Sequence, residues 1–182
     1  LGAVSVVASI VGSWVVRVKG KNIMAALYKG LGLTSLLALA GFYFITQTLF
    51  PNGLENISSM NLFYAALIGI VVTIGMVIIT EYFTSKNYSP VKTIAEASTT
   101  GHGTNVIAGL AVSMKSTFAP ILLISAAIFI AFNLAGLYGV AIAAMAMLSL
   151  TGIIVAIDDF GPITDNAGGI VEMTNLPEKV RN

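Results

Sequence analysis

Three aspartates lie close together near the carboxyl end of the chain, directly after a long apolar segment. Asp158 and Asp159 are adjacent, Asp165 follows seven residues after Asp158, and Asn166 comes next. On a continuous helix this spacing puts Asp158 and Asp165 two turns apart on one face, with a drift of only about 20°. Carboxylate and amide oxygens suit hard cations such as Mg²⁺, which commonly bridge to phosphates. The spacing therefore predicts that these side chains bind one ion or a cluster of ions.

The residues between the aspartates predict a bend. Pro162 lacks the N–H that would bond to the carbonyl of Asp158, and Gly161 adds local freedom, so we expect a kink there. The same acids have a purely structural interpretation, in which they cap a helix end or pair with Lys179 and Arg181. Zinc is not expected, because the chain has no cysteine and one histidine.

The composition is that of an integral membrane protein. Hydrophobic residues make up 57% of the chain, charged residues make up 9%, and the mean hydropathy is +0.92. Soluble domains carry about 25% charged residues. The absence of cysteine excludes disulfides and thiolate catalysis. The chain begins at Leu1 without a signal-peptide pattern, so we expect a piece of a longer protein. No nucleic-acid partner is expected.

Uncharged runs predict where the chain crosses the membrane, since about 20 apolar residues span a bilayer. Residues 30–54 and 56–80 are uncharged runs of that size, and residues 116–157 are long enough for two crossings joined near 133–136. We therefore expect an all-α, polytopic helix bundle that forms a single membrane domain over residues 1–182. The predicted elements are spans at about 1–16, 31–50, 60–81, 104–132 and 137–160, and a short cytoplasmic helix at about 90–100. The small residues expected to pack helices together are Gly32, Gly41, Gly69 and Gly75.

The charges predict which side of the membrane the acids face. With five crossings, all nine lysines and arginines fall on one side, and Glu55 alone lies on the other. Basic residues are enriched on the cytoplasmic side of membrane proteins. The three aspartates are therefore expected at the cytoplasmic end of the fifth span, within reach of a cytosolic ligand.

Four segments of this sequence resemble one known family. They are DDFGPITDNAGGIVEM at 158–173, EYFTS at 81–85, TGHGTNVIAGLAVSMKST at 100–117 and NLPEKVRN at 175–182. Together they resemble the membrane-bound inorganic pyrophosphatases, which are ion-pumping enzymes. The resemblance covers the whole chain and implies that it forms roughly the seventh to eleventh helices of a sixteen-helix subunit. That subunit would work as a homodimer in a prokaryotic inner membrane.

The resemblance also implies a function and assigns site residues. Pyrophosphate would be hydrolysed with Mg²⁺, with K⁺ as a candidate activator, and hydrolysis would drive H⁺ or Na⁺ across the membrane. Asp158 and Asp165 match acids that bind Mg²⁺ and pyrophosphate, with Asp165 in direct metal contact and Asn166 as a further metal ligand. Asp159 stands where the family more commonly has a small residue, so no catalytic role is expected for it. The general base would lie in the remainder of the same subunit, and this chain alone would be inactive.

A second class of protein fits the same residues. In an ion-coupled secondary transporter, Asp158 and Asp165 would bind a coupling cation beside the helix break at Gly161 and Pro162. The two classes differ in one observable, which is the release of phosphate from pyrophosphate.

Overall fold

The computed structural model describes residues 1–17, 23–54, 56–174 and 177. Predictions that involve Lys19, Lys21, Glu55, Lys179 and Arg181 lie outside the described residues. Within that part of the chain the helices, in order, are α1 (Gly2–Val15), α2 (Ile23–Leu49), α3 (Ser59–Thr84), α4 (Ser89–Ser98), α5 (His102–Ser116), α6 (Phe118–Ser149), α7 (Thr151–Asp158) and α8 (Phe160–Met173).

The all-α prediction is confirmed, because every regular element in the described ranges is a helix. The only pairing of extended residues there is an isolated bridge between Leu54 and Ile57. Three helical stretches are long and apolar enough to cross a membrane, namely Ala25–Leu49, Ser59–Ser98 and His102–Met173. These stretches support an integral, multi-pass membrane protein. The number of crossings and their exact boundaries remain predictions.

Helix α6 is interrupted by a sharp reversal. Ala135 has φ −151° and ψ 26°, and Gly136 has φ 59° and ψ −150°, so neither residue is helical. A Cβ placed on Gly139 would lie 2.4 Å from the carbonyl oxygen of Ala131, although residues eight apart on one straight helix are about 12 Å apart. The halves 118–134 and 137–149 therefore run back along each other, and the turn lies inside the connection predicted at 133–136.

The chain divides into two compact units, and the first comprises Leu1 and Phe42–Leu148. In this unit α3 packs very closely on both halves of α6. A Cβ on Gly69 would lie 2.1 Å from the carbonyl oxygen of Ala143, and one on Gly75 would lie 2.7 Å from a methyl of Leu123. The expected packing roles of Gly69 and Gly75 are thus confirmed.

Two hydrogen bonds fix α3 against α6. The hydroxyl of Thr73 lies 3.1 Å from the carbonyl oxygens of Gly69 and Met147 and donates to them. At the other end, the side-chain amide of Asn61 donates to the carbonyl of Leu134 over 3.0 Å, beside the reversal. Such bonds are valuable in a membrane because no water is available to replace them.

The second unit comprises Gly2–Gly41 and Ser149–Asn182. Here α1 and α2 meet through glycines: a Cβ on Gly12 would lie 1.9 Å from the hydroxyl of Thr34, and one on Gly41 would lie 2.2 Å from a methyl of Val4. The packing role expected of Gly41 is therefore confirmed. Gly32 does not have the expected role in this structure, because no atom lies within 4 Å of a Cβ built there.

Candidate functional site

The helix that leads to the aspartates is held by α1 and α2. Ile153, in the first turn of α7, is 3% exposed, and its terminal methyl lies 3.9 Å from a Cβ placed on Gly30. A Cβ on Gly152 would lie 3.6 Å from the hydroxyl of Ser9 in α1. These contacts fix the position of α7, and Asp158 is its last residue. Nothing in the pattern of charge indicates these contacts, although the small residue at Gly152 is a signal for close helix packing.

The helix is interrupted at Asp159. This residue separates α7 from α8, yet its φ of −63° and ψ of −22° are helical and its N–H bonds to the carbonyl of Val155 over 2.9 Å. This interruption agrees with the kink expected from Gly161 and Pro162. Pro162, the third residue of α8, has no N–H to donate to the carbonyl of Asp158, and Asp159 lies in the turn between these two residues. In the first turn of a helix the N–H groups have no partner within the helix, so proline is tolerated there.

The side chains of the acidic segment are open to solvent. Asp158, Asp159, Asp165 and Asn166 are all exposed. None of them makes a side-chain hydrogen bond or ion pair with another described residue. Pairing with Lys179 or Arg181 involves residues outside the described part, so that interpretation stays a prediction.

Asp158 and Asp165 lie two turns apart along the chain. Seven residues of helix separate their backbones by about 10 Å along the axis. Over the described ranges of the chain, no group of three or more His, Cys, Asp or Glu side chains is placed to hold a metal ion. The binding of one ion or of a cluster of ions by Asp158, Asp165 and Asn166 stays a prediction.

Helix α8 leaves this face free for other partners. No residue of α8 is buried, and no atom lies within 4 Å of a Cβ placed on Gly161, Gly168 or Gly169. Exposed carboxylate and amide oxygens, spread over two turns, can each supply one or two ligands to separate cations. The remaining ligands of such cations would have to come from groups other than these four side chains.

Comparison with known proteins identifies the family. A family model described as inorganic H+ pyrophosphatase matches residues 1–182. The chain is 46% identical over 190 residues to the K(+)-insensitive pyrophosphate-energized proton pump of Methanosarcina mazei, a match that covers 100% of this chain and 27% of that protein.

Two further relatives agree. The chain is 50% identical over 183 residues to pyrophosphate-energized proton pump 2 of Mycoplana dimorpha, covering 96% of this chain and 87% of that sequence. It is 44% identical over 194 residues to the K(+)-insensitive pyrophosphate-energized proton pump of Caldanaerobacter subterraneus, covering 98% of this chain and 27% of that protein. The chain thus spans about a quarter of the length of two of these relatives. On the match over its whole length, the chain belongs to the inorganic H+ pyrophosphatase family.

Proposed function

We propose that the protein to which this chain belongs hydrolyses pyrophosphate and uses the free energy to pump H⁺ across a membrane. The observation that carries the proposal is the 46% identity, over all of this chain, to a relative named as a pyrophosphate-energized proton pump. The exposed acids at the end of the apolar helices support it, since they provide oxygen ligands beside a membrane. The proposed side is the cytoplasmic one, on the basis of the lysine and arginine distribution.

In this proposal the acids of α7 and α8 hold Mg²⁺ and, through it, the substrate. Asp165 binds a metal ion directly, and Asn166 adds an amide oxygen as a ligand. Asp158 binds a second metal ion at a position two turns away. This separation suits several cations around an extended, highly anionic substrate better than it suits a single ion. The metal would neutralise phosphate charge during the attack of water on phosphorus. The carboxylates fix where that positive charge lies, and the general base belongs to other parts of the subunit.

The names of the relatives guide the choice of ions. Each relative described above is named a proton pump, so we propose H⁺ as the transported ion in place of the alternative of Na⁺. Two of them are named K(+)-insensitive, which argues against the expected role of K⁺ as an activator. We therefore propose that hydrolysis does not depend on K⁺, and that the subunit functions as a homodimer.

The test is phosphate release by membranes that contain the full-length protein. Release should require Mg²⁺ and should be the same in K⁺ and Na⁺ buffers of equal ionic strength. Asp165→Asn should lower the rate at least about hundredfold, as expected when a group that stabilises transition-state charge is lost. Asp158→Asn should act in the same direction. The matched control is Asp159→Asn, an adjacent and equally exposed acid, which should retain most of the activity.

Transport is measured on sealed vesicles in the same preparation. Addition of pyrophosphate should acidify the lumen, a protonophore should abolish the gradient, and a Na⁺ ionophore should not. Ion-coupled solute uptake without phosphate release would replace the proposal with the secondary transporter. Equal loss of activity in Asp159→Asn and Asp165→Asn would refute the proposed division of roles among the acids.

A further inference from the structure

One face of α3 carries bulky side chains that are only partly covered by other described residues. At about 100° per residue, six partly exposed residues fall within an arc of about 80°. Val71, at the middle of the apolar helix, is 53% exposed, and Ile78, two turns nearer its carboxyl end, is 62% exposed. We name this surface the bulky face, and its residues are Met60, Tyr64, Val71, Ile74, Ile78 and Tyr82.

The opposite face of α3 is the one that packs on protein. It is rich in small residues, and its buried positions are Ser59, Leu62, Ala65, Ala66, Gly69, Ile70, Val72 and Thr73. Helix interfaces in membranes favour small residues, which allow backbones to approach. The bulky face has none of them, so its composition suits acyl chains better than a second helix.

Two tyrosines mark the ends of the bulky face. Tyr64 and Tyr82 are 42% and 43% exposed and lie 18 residues apart on one helix, which corresponds to about 27 Å. The hydrocarbon core of a bilayer is about 30 Å thick. Tyrosine is enriched at both membrane–water interfaces, where its ring is apolar and its hydroxyl reaches water. The distance between these tyrosines therefore matches the thickness of a bilayer.

Neighbouring aromatic residues lie at the same two levels. Near Tyr64, the ring of Phe63 contacts Tyr43 edge-on, with centroids 5.3 Å apart. Tyr138 is 44% exposed and lies two residues after the reversal of α6. Asn61 of α3 bonds to Leu134 beside this reversal, so Tyr138 lies near the same end of α3 as Tyr64. At the other end, the rings of Tyr82 and Tyr88 are 5.4 Å apart. Exposed tyrosines thus form a group at each level.

The end near Tyr82 also carries two exposed lysines. They are Lys86 in the turn after α3 and Lys92 in α4, while Glu81 precedes Tyr82 and Glu96 follows Lys92 by one helical turn. Lys86 lies in the turn just beyond the end of α3 at Thr84, outside the layer bounded by Tyr64 and Tyr82, where lipid phosphates are expected. Positive charge at this depth is complementary to anionic phospholipids.

We infer that the bulky face of α3 is a lipid-facing surface of the assembled protein, fitted to a hydrocarbon layer of about 27 Å. At its basic end, Lys86 binds the phosphate of an anionic phospholipid beside Tyr82 and Tyr88. This inference does not depend on pyrophosphate hydrolysis, because it concerns a surface on another helix and is measured without turnover.

The first experiment labels single cysteines in the full-length protein in phospholipid vesicles. The described chain has no cysteine of its own, and any cysteine elsewhere is first replaced by serine. Spin labels are attached at Val71→Cys, Ile78→Cys, Lys86→Cys and the buried control Val72→Cys, and collision rates with O₂ and a water-soluble nickel complex are measured. We expect frequent O₂ collisions at positions 71 and 78, with the higher rate at 71. Collisions with the nickel complex should be frequent at position 86. Collisions of either kind should be few at position 72.

O₂ collision rates at 71 and 78 as low as at 72 would overturn the inference, since protein would then cover the face. Dipolar broadening between labels on two subunits would identify the cover as a second copy of the protein. Low rates without broadening would identify it as another part of the same subunit. If Val72→Cys does not fold, the comparison of 71 and 78 with the water-exposed position 86 gives the same decision.

The second experiment tests the headgroup. Phosphatidylglycerol retained by the full-length protein is compared with phosphatidylcholine by native mass spectrometry, for the wild type, Lys86→Gln and the control Lys29→Gln. A lysine near a membrane surface contributes enough to expect a loss of about fivefold in the preference for phosphatidylglycerol in Lys86→Gln alone. An unchanged preference, or an equal loss in both variants, would refute the assignment of Lys86.

Discussion

Replacing Gly69 with alanine is expected to push α3 away from the second half of α6. The added methyl would lie 2.1 Å from the carbonyl oxygen of Ala143 and 2.8 Å from the amide nitrogen of Met147. Carbon and oxygen atoms approach to about 3.3 Å at closest in such contacts. The helices would therefore have to separate by about 1 Å, because backbone atoms cannot rotate out of the way as a side chain can.

Three effects set the size of the change. Overpacking costs about 1–3 kcal/mol, and rigid backbone neighbours put this site at the upper end. The separation also stretches the hydrogen bond from Thr73 to Met147, and such bonds in membranes contribute about 0.6 kcal/mol on average. The higher helix propensity of alanine offsets about 1 kcal/mol of this destabilisation. We expect Gly69→Ala to lower the free energy of unfolding by about 2 kcal/mol.

The measurement is unfolding of the purified full-length protein in mixed micelles with increasing sodium dodecyl sulfate, followed by circular dichroism. The matched control is Gly32→Ala, which makes the same substitution inside a helix where no atom lies within 4 Å of the new Cβ. The control should be unchanged or slightly stabilised. Equal stability of Gly69→Ala and Gly32→Ala would refute the close approach of α3 and α6.

Two further substitutions test the same unit by the same unfolding assay. Thr73→Val should destabilise the protein by about 1 kcal/mol because the hydrogen bond to Met147 is lost. Thr73→Ser keeps the hydroxyl and should destabilise the protein less. Equal losses of unfolding free energy in the two variants would show that packing, and not the bond, is important. Gly136→Ala should lower the free energy of unfolding by about 1–3 kcal/mol, since the φ of 59° and ψ of −150° at Gly136 are essentially confined to glycine. The control Gly109→Ala, in a helix where no atom lies within 4 Å of the new Cβ, should not lower it.

The sequence predicted the helical class and the reversal for a simple physical reason. Charge is costly in a bilayer, so the 42 uncharged residues at 116–157 had to contain two crossings, and the polar and glycine residues at 133–136 were the place to turn. The structure turns at Ala135 and Gly136. The interruptions at Thr117 and Leu150 were not predicted. Thr117 lies three residues before Pro120, which cannot donate to the carbonyl of Ser116, so the sequence carried a signal there. The interruption at Leu150 leaves no mark in the pattern of charge.

The acidic site was predictable only in part. Spacing predicts that Asp158 and Asp165 share a helical face, and both side chains are exposed, but it could not show which further groups would complete a metal site. The kink was predictable from Pro162, whose missing bond to the carbonyl of Asp158 coincides with the interruption at Asp159. Since proline is stable in the first turn, the new helix begins before it, at Phe160.

The reversal in α6 has a consequence for how the protein is made. Contacts such as that between Gly139 and Ala131 join residues only eight apart, so closing the loop between them costs little entropy. Local contacts of this kind form quickly. The halves 118–134 and 137–149 can therefore enter the bilayer as a preformed pair while the ribosome is still adding later residues. The acidic segment is synthesised after this pair and follows the half 137–149, which has already been inserted.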